Sequence, residues 1–417
     1  MMCPFKKVPW LIALAFLLVI LSCVRKHEQD NVFSEEVSWR ETVVAGSGDA
    51  YMEVRHIVLK GSNYAIGKKI AERALEHNIR LNPSGDPVRN KVQRAYMEKN
   101  YPMYYERMRG VADGFGISFD NNEYDLSFLS QYQLSRPGCS VVFYPGTFTL
   151  NGHGILSRNY DFTTGTFQGR RPQEDEMAVM SRPYIFEMYP DQGYASLSLC
   201  AFDLLGGVLD GINAEGLAVA ILADDETLLH YEREPFAGVG MHELMCMRYI
   251  LDTCKDVDEA KEALFYAKHY YSFVPCHYII ADRNGDSFVF EFSSIRNAAH
   301  CVEGQGPQWV TNHLLSKYPS MDHFPEKSMI DSFERYRTLH DSIHGKNRFS
   351  IENMKTINAA VASTDMDFHS PEYAPHRTLW HSLYDLQERR LQVKFYLGES
   401  AEGIQYSDYI NFQLESE

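Results

Sequence analysis

The sequence lacks the signatures of most well-marked chemistries. No CxxC pair occurs among its 8 cysteines, so zinc-ribbon and dithiol redox sites have no ligand spacing to build on. His242-Glu243 is followed by Leu-Met-Cys, so there is no HExxH helix of a zinc protease. No GxGxxG opens a helix after a strand, no Walker loop is present, and no GxSxG elbow occurs. Positive charge is scarce: 40 Lys and Arg stand against 56 Asp and Glu, for a formal net charge of -16. A phosphate-backbone binder needs a basic face, so nucleic acid is not an expected partner. Internal repeats and Pro/Gly-rich linkers are missing. Long apolar runs are confined to the N-terminus and mean hydropathy is -0.33, which excludes a polytopic membrane protein.

What is present is ordinary globular composition, with 45% apolar and 23% charged residues in 417. That length buries a large core. Tyr and Phe are abundant, at 26 and 24; aromatic core is the expected use, ahead of an aromatic-lined pocket. The N-terminus reads as an address. Lys6 and Lys7 precede Val8–Leu21, a 14-residue run that is nearly all apolar. It is shorter than the roughly 20 residues of a spanning helix and suits a signal peptide. The run ends Ile20-Leu21-Ser22-Cys23, which resembles a bacterial lipobox. Cleavage before Cys23 with a lipid on its sulfur is therefore expected, giving a chain anchored in the cell envelope, the outer membrane favoured by Val24. The alternatives are a plain signal peptide or an uncleaved anchor. Losing Lys6 and Lys7 takes the charge from -16 to -18. The expected division is signal peptide 1–22, lipidated tether 23–48, a helical pro-segment or small subunit 49–138, and a catalytic region 139–417. The other six thiols, Cys139, Cys200, Cys246, Cys254, Cys276 and Cys301, have no framework spacing and read mostly as small hydrophobes.

Along the chain, 51–60 reads as a strand, 64–79 as a helix, and 88–115 as a long helical stretch interrupted near Pro102. From 141 to 221 short alternating runs mark strands and hairpins. Helices are expected over 236–254, 257–269, 327–343 and 350–362, the second with Asp256 and Glu259 as a capping-box variant. Asn284-Gly285 between two β-rich runs predicts a hairpin, and 391–397 reads as a last strand. The fold class is α+β with largely antiparallel sheets and outer helices.

One stretch concentrates chemistry. Gly138-Cys139 follows a turn signal and opens the β-rich region; Arg158-Asn159-Tyr160-Asp161 comes 19 to 22 positions later. A strand from Cys139, a turn near Asn151-Gly152 and a return strand would bring Cys139 and Asp161 together. By itself a Gly-Cys in a strand is more often buried structure. The surrounding motifs add to it. Gly61-Ser62-Asn63-Tyr64-Ala65-Ile66-Gly67, Arg109-Gly110-Val111-Ala112-Asp113-Gly114, Asp210-Gly211-Ile212-Asn213-Ala214-Glu215-Gly216-Leu217, Val310-Thr311-Asn312-His313 and Ser332-Phe333-Glu334-Arg335-Tyr336 occur in that order. Together with Cys139 they resemble the N-terminal-nucleophile hydrolases of the choloylglycine hydrolase and acyl-coenzyme A:6-aminopenicillanic acid acyltransferase group, over about residues 55 to 400. Asn213 and Glu215 are separated by one Ala more than in the tightest form of that motif.

The resemblance implies a four-layer αββα sandwich and self-cleavage between Gly138 and Cys139. The freed α-amino group, with a pKa near about 8, would take the thiol proton, so that one residue supplies nucleophile and base. It implies that Cys139 attacks an amide carbonyl, that Asp161 holds the new amine, and that Arg158 lowers the thiol pKa. Asn312 would offer its side-chain N–H to the oxyanion, Asn213 a backbone N–H, and Arg335 would support the site from its helix. No cofactor or metal is called for. The implied partner is a small acyl amide, cleaved through a thioester; transfer of the acyl group to an amine is the alternative, and a non-catalytic binding lipoprotein the second alternative. A heterodimer of the chain's own two fragments is possible on this reading.

Overall fold

The structure, a computed structural model, describes residues 37–415 apart from 47, 78, 130–137, 167, 175, 202–203, 226, 228–237, 273, 294–297, 329 and 365–371. The expected signal peptide and Cys23 lie outside the described residues. In chain order, β1 (Ser38–Ala45) and β2 (Val54–Gly61) are followed by helices α1 (Asn63–Glu76), α2 (Pro87–Asn100) and α3 (Pro102–Gly114). Next come β3 (Gly138–Tyr144), β4 (Ile155–Thr163), β5 (Tyr184–Pro190), β6 (Ser196–Cys200), β7 (Val208–Asn213) and β8 (Ala218–Ala223). β9 (Met241–His242) leads into α4 (Glu243–Thr253) and α5 (Val257–Tyr266). β10 (His269–Tyr270), β11 (Cys276–Ala281), β12 (Ser287–Ser293), β13 (Ala298–Glu303) and β14 (Gln308–Val310) precede α6 (Ser332–Ile343) and α7 (Ile351–Ala359). The order ends with β15 (His376–Asp385), β16 (Arg390–Ser400), β17 (Gly403–Tyr406) and β18 (Ile410–Gln413).

Among the described residues, nine strands form one sheet in the order β1-β2-β5-β6-β7-β8-β11-β12-β13. Seven form another, β14-β3-β4-β15-β16-β17, with β18 on β16. Pairing is antiparallel in both except between β2 and β5. β3 faces β8 across the gap between the sheets; α4 lies on β7 and β8, while α6 and α7 cover β14 and β4. That is the αββα sandwich. Strands in its middle are covered on both faces, so they carry continuous apolar runs rather than alternation. Ala218–Ala223 is one, buried throughout.

Local signals explain the element ends. Pro102 follows Tyr101, which leaves the helical region with φ -148°; a proline disfavours helix in the residue before it but suits a first helical position. The long stretch is therefore two helices. Asp256 accepts from the Glu259 N–H at the start of α5, and Ser350 with Asn353 forms a reciprocal box at the start of α7. The Asp282–Gly285 turn joins β11 to β12 as expected, with Gly285 at φ 100°. Five of the six non-leader thiols are buried, Cys301 is half-buried, and none is bridged. Several strands were not anticipated: β13, β14, and β17 and β18, which follow the stretch read as the last strand, and also β1 and β15. β1 falls inside the stretch read as tether, and it pairs with β2 over its whole length. β15 is ten residues long and completely buried, yet it was not read as a strand.

Candidate active site

β3 and β4 form an antiparallel pair closed by a turn at Asn151-Gly152, where Gly152 takes φ 77°. The register sets Gly138 opposite Asp161 and Cys139 opposite Tyr160. Cys139, Arg158 and Tyr160 therefore face the space between the sheets, and Gly138 and Asp161 the other side. A Cβ on Gly138 would stand 3.2 Å from Asp161 Cβ, so this position suits glycine.

Three groups converge on Cys139. Its N–H donates to Asn312 Oδ1 at 2.7 Å. Its carbonyl accepts from Arg335 Nη1. Its sulfur lies 3.5 Å from Arg158 Nη2. Arg158 is fully buried. The same guanidinium donates to the Leu209 and Ile221 carbonyls at 2.9 and 2.7 Å and pairs with Asp210. Burial works against its charge, but the Asp210 carboxylate and the Cys139 sulfur hold its pKa above the usual value. Asp210 is itself fixed by Ser382, Tyr384 and Trp380 of β15. The Cys139 thiol is pushed up by burial; Arg158 pulls it down, Asp161 raises it, and Arg335 pulls it down. In the continuous chain burial wins, so the thiol is held protonated.

Arg335 sits one turn into α6, where Asp331 pins its guanidinium at 3.0 Å and Asn312 Oδ1 receives its Nη2 at 2.8 Å. Asn312 thus accepts from two donors, while its Nδ2 donates to Ala223 O at 2.8 Å. That pattern fixes which end of the amide is oxygen. Ser332 Oγ receives the Asn312 N–H at 2.7 Å and touches His313 Nδ1 at 2.9 Å. Asp161 accepts from Thr378 Oγ1 at 2.6 Å. Burial raises its pKa, against the pull of Arg335 and Thr378.

The structure thus brings together Cys139, Arg158, Asp161, Asn312 and Arg335, and departs from expectation at one of the six site residues, Asn213. Asn312 turns its oxygen, not its N–H, toward the Cys139 backbone. Asn213 is not at the site. Its N–H is spent on Leu217 O at 3.0 Å. Its side chain accepts from Glu215 and Leu217 N–H groups and donates to Leu251 O and Cys254 O at the end of α4. It closes the β7–β8 turn and caps a helix. Three supporting residues went unassigned in the sequence. Asp210 opens a motif that was quoted without a role for it. Ser332 likewise sits in a quoted motif. Thr378 carried no signal.

A family model described as acyl-coenzyme A:6-aminopenicillanic acid acyl-transferase matches residues 148–401, more than half of the 417. The chain belongs to that family. Membership makes it an enzyme of the N-terminal-nucleophile kind, an amide hydrolase or acyltransferase, and sets aside the binding-protein alternative. The match begins after Cys139 and takes in Arg158, Asp161, Asn312 and Arg335. No curated protein matches the chain. Among solved structures, a mutant of conjugated bile acid hydrolase from Clostridium perfringens covers 67% of this chain and 97% of its own, at 15% identity and TM-score 0.44. A second variant of that enzyme covers 66% and 97%, at 15% identity and TM-score 0.43. Penicillin V acylase from Agrobacterium tumefaciens covers 64% and 84%, at 15% identity and TM-score 0.39.

Proposed function

We propose that the protein is a cysteine-nucleophile hydrolase of linear amides, freed for work by cleavage of its own Gly138–Cys139 bond. The observation that carries this reading is the meeting of Asn312, Arg335 and Arg158 on the nitrogen, carbonyl and sulfur of one residue. As an amide, the Cys139 nitrogen has no basicity. As an α-amine with a pKa near about 8, it can take the thiol proton, still held by Asn312 Oδ1. Arg158 then stands beside a thiolate, the reactive form. The sulfur adds to the substrate carbonyl; the intermediate collapses, the amine leaves with the proton from the α-ammonium, and a thioester remains. Water attacks that thioester, the carboxylate departs, and the thiol is restored. Asn312 Nδ2 has two hydrogens, one bonded to Ala223 O; the other is the donor we assign to the oxyanion. Losing such a donor typically costs about 3–4 kcal/mol of barrier. Transfer to an amine is the second reading, because the matching family is named for it.

The test is mass analysis with an acyl-amide panel of bile-salt conjugates, penicillin V and N-acyl amino acids, with and without an added amine acceptor. Wild type is expected as two fragments, the larger starting at Cys139, and Cys139→Ala as one inactive chain. Active protein with an intact Gly138–Cys139 bond would overturn self-cleavage; equal turnover by Cys139→Ala would overturn the nucleophile. Acylated acceptor in place of free acid would move transfer to the front. We propose further that the mature chain begins at a lipidated Cys23 and sits on a membrane of the cell envelope, supported by Lys6, Lys7 and the apolar run before Ser22-Cys23. Wild type should enter the detergent phase on partitioning and Cys23→Ser should not; recovery of wild type in the aqueous phase rejects lipidation.

A further inference from the structure

A second polar site lies on the far side of the seven-stranded sheet. Asn159, His381 and Lys394 are cross-strand neighbours on β4, β15 and β16, so they share the face that Cys139 does not use. Between this face and α7 there is a cavity of about 160 Å³, several times one water's share of about 30 Å³. Lys355, Lys394, Thr378, His381 and Tyr406 are among its walls, and among the described residues no Asp or Glu is. In a chain of net charge -16, a pocket with two lysines and no acid among its described walls is unexpected.

The two ammonium groups crowd one ring. Lys355 Nζ lies 4.2 Å and Lys394 Nζ 5.6 Å from the centroid of Tyr409, and Lys394 is 4.7 Å from that of Tyr406. Lys355 has an outward carboxylate, Glu352, at 2.8 Å. Lys394 is half-buried and has no ion-pair partner among the described residues. Burial first, and then Lys355, lower its pKa. His381 adds no charge, since burial takes its pKa down to about 3, helped by both lysines. The half-buried Lys394 ammonium, facing a second one and with no counter-charge of its own among the described residues, is costly unless something negative enters.

We propose that this cavity binds a compact oxyanion, a carboxylate or phosphate group, held between Lys355 and Lys394. Both are point charges with rotatable donors, suited to an ion rather than to a planar fork. The Tyr406 and Thr378 side chains bound the cavity toward Asp161, and the Thr378 hydroxyl is already given to that carboxylate, so the lysines carry the binding. The site does not depend on the Cys139 reading, and its ligand does not compete with an acyl group on the sulfur.

The experiment is calorimetric titration of the full mature protein with inorganic phosphate and, separately, with succinate, at ionic strength held constant with chloride. Saturable 1:1 binding of at least one anion is expected, with the two titrations telling phosphate from carboxylate. Lys394→Met and Lys355→Gln should each weaken it at least about ten-fold, the scale of one charge-assisted contact, while Lys346→Gln on an exposed turn should leave it unchanged. No saturable heat with either anion, or wild-type affinity in either folded lysine variant, overturns the proposal. Should Lys394→Met fail to fold, Lys355→Gln, a shorter polar side chain at a part-exposed position of α7, decides alone.

Discussion

Asp161 is a carboxyl buried in a strand pair, and Thr378 is one of the groups that favour its charged form against burial. Burial pushes its pKa above the usual carboxylate value, while Arg335 and the Thr378 hydroxyl pull it back. A hydrogen bond to the charged form favours that form. Thr378→Val keeps the shape and removes the bond to Asp161, along with the one its hydroxyl accepts from the Ser363 N–H at 2.8 Å, so the Asp161 pKa must rise further while some stability is lost. If Asp161 acts as a carboxylate beside the new amine, the acid limb of kcat against pH moves to higher pH in Thr378→Val, with kcat on the plateau nearly kept. A limb that stays in place while kcat falls at all pH values would make Thr378 merely structural. Residues that meet on Cys139 were legible in the sequence because each lies in a motif with fixed neighbours. Thr378 was not, since a lone threonine in a strand has no pattern, and its partner is 217 positions away. Asn213 misled because Gly-Ile-Asn-Ala-Glu-Gly serves a tight turn, where its backbone N–H is consumed locally.

At the scale of elements, two of the quoted motifs turn out to be one contact. A Cβ on Gly67 in α1 would lie 2.0 Å from Arg107 O in α3, and a Cβ on Gly110 in α3 would lie 1.9 Å from Tyr64 O in α1. The helices touch backbone to backbone, and no side chain fits between them. Gly110→Ala gains helix propensity of about 1 kcal/mol, but it must push the helices apart. Overpacking of this kind costs about 1–3 kcal/mol, and the atoms met are rigid backbone atoms of Tyr64 and Lys68, so the net sign is destabilising. Thermal unfolding should show a lower Tm for Gly110→Ala; an unchanged or raised Tm would mean that the helices separate freely. The helices and the Asn284-Gly285 hairpin were readable because caps, prolines and turn residues act locally. β15 was not, because its buried face is polar: Ser382 and Tyr384 serve Asp210 and Thr378 serves Asp161. A strand that feeds an active site loses the apolar alternation by which strands are recognised. β1 was hidden in the same way, its Ser-Trp-Arg-Glu-Thr start resembling a polar tether.

For the whole molecule the question is what would hold residues 37–138 to the rest under the proposed cleavage of the Gly138–Cys139 bond. β2 is not an edge strand: it pairs with β1 on one side and in parallel with β5, from the other fragment, on the other. Ile57, Leu59, Ile66, Met97, Tyr101, Tyr104, Met108 and Val111 are fully buried in the core shared with the catalytic part. Arg107 of α3 meets Asp252 of α4 at 2.6 Å with both side chains out of solvent, and Tyr101 bonds the same carboxylate. Cleavage removes one covalent link and none of these contacts. The two fragments should therefore elute together in gel filtration at neutral pH and separate only in denaturant. Arg107→Met should weaken the assembly by about 3 kcal/mol, because removing one partner leaves the other charge buried; Arg248 at 3.3 Å from Asp252 limits the loss. The measure is the denaturant midpoint of the processed protein. Elution of a folded, active fragment beginning at Cys139 without its partner would show that the N-terminal piece is dispensable after cleavage, and that the shared core is not what holds the site.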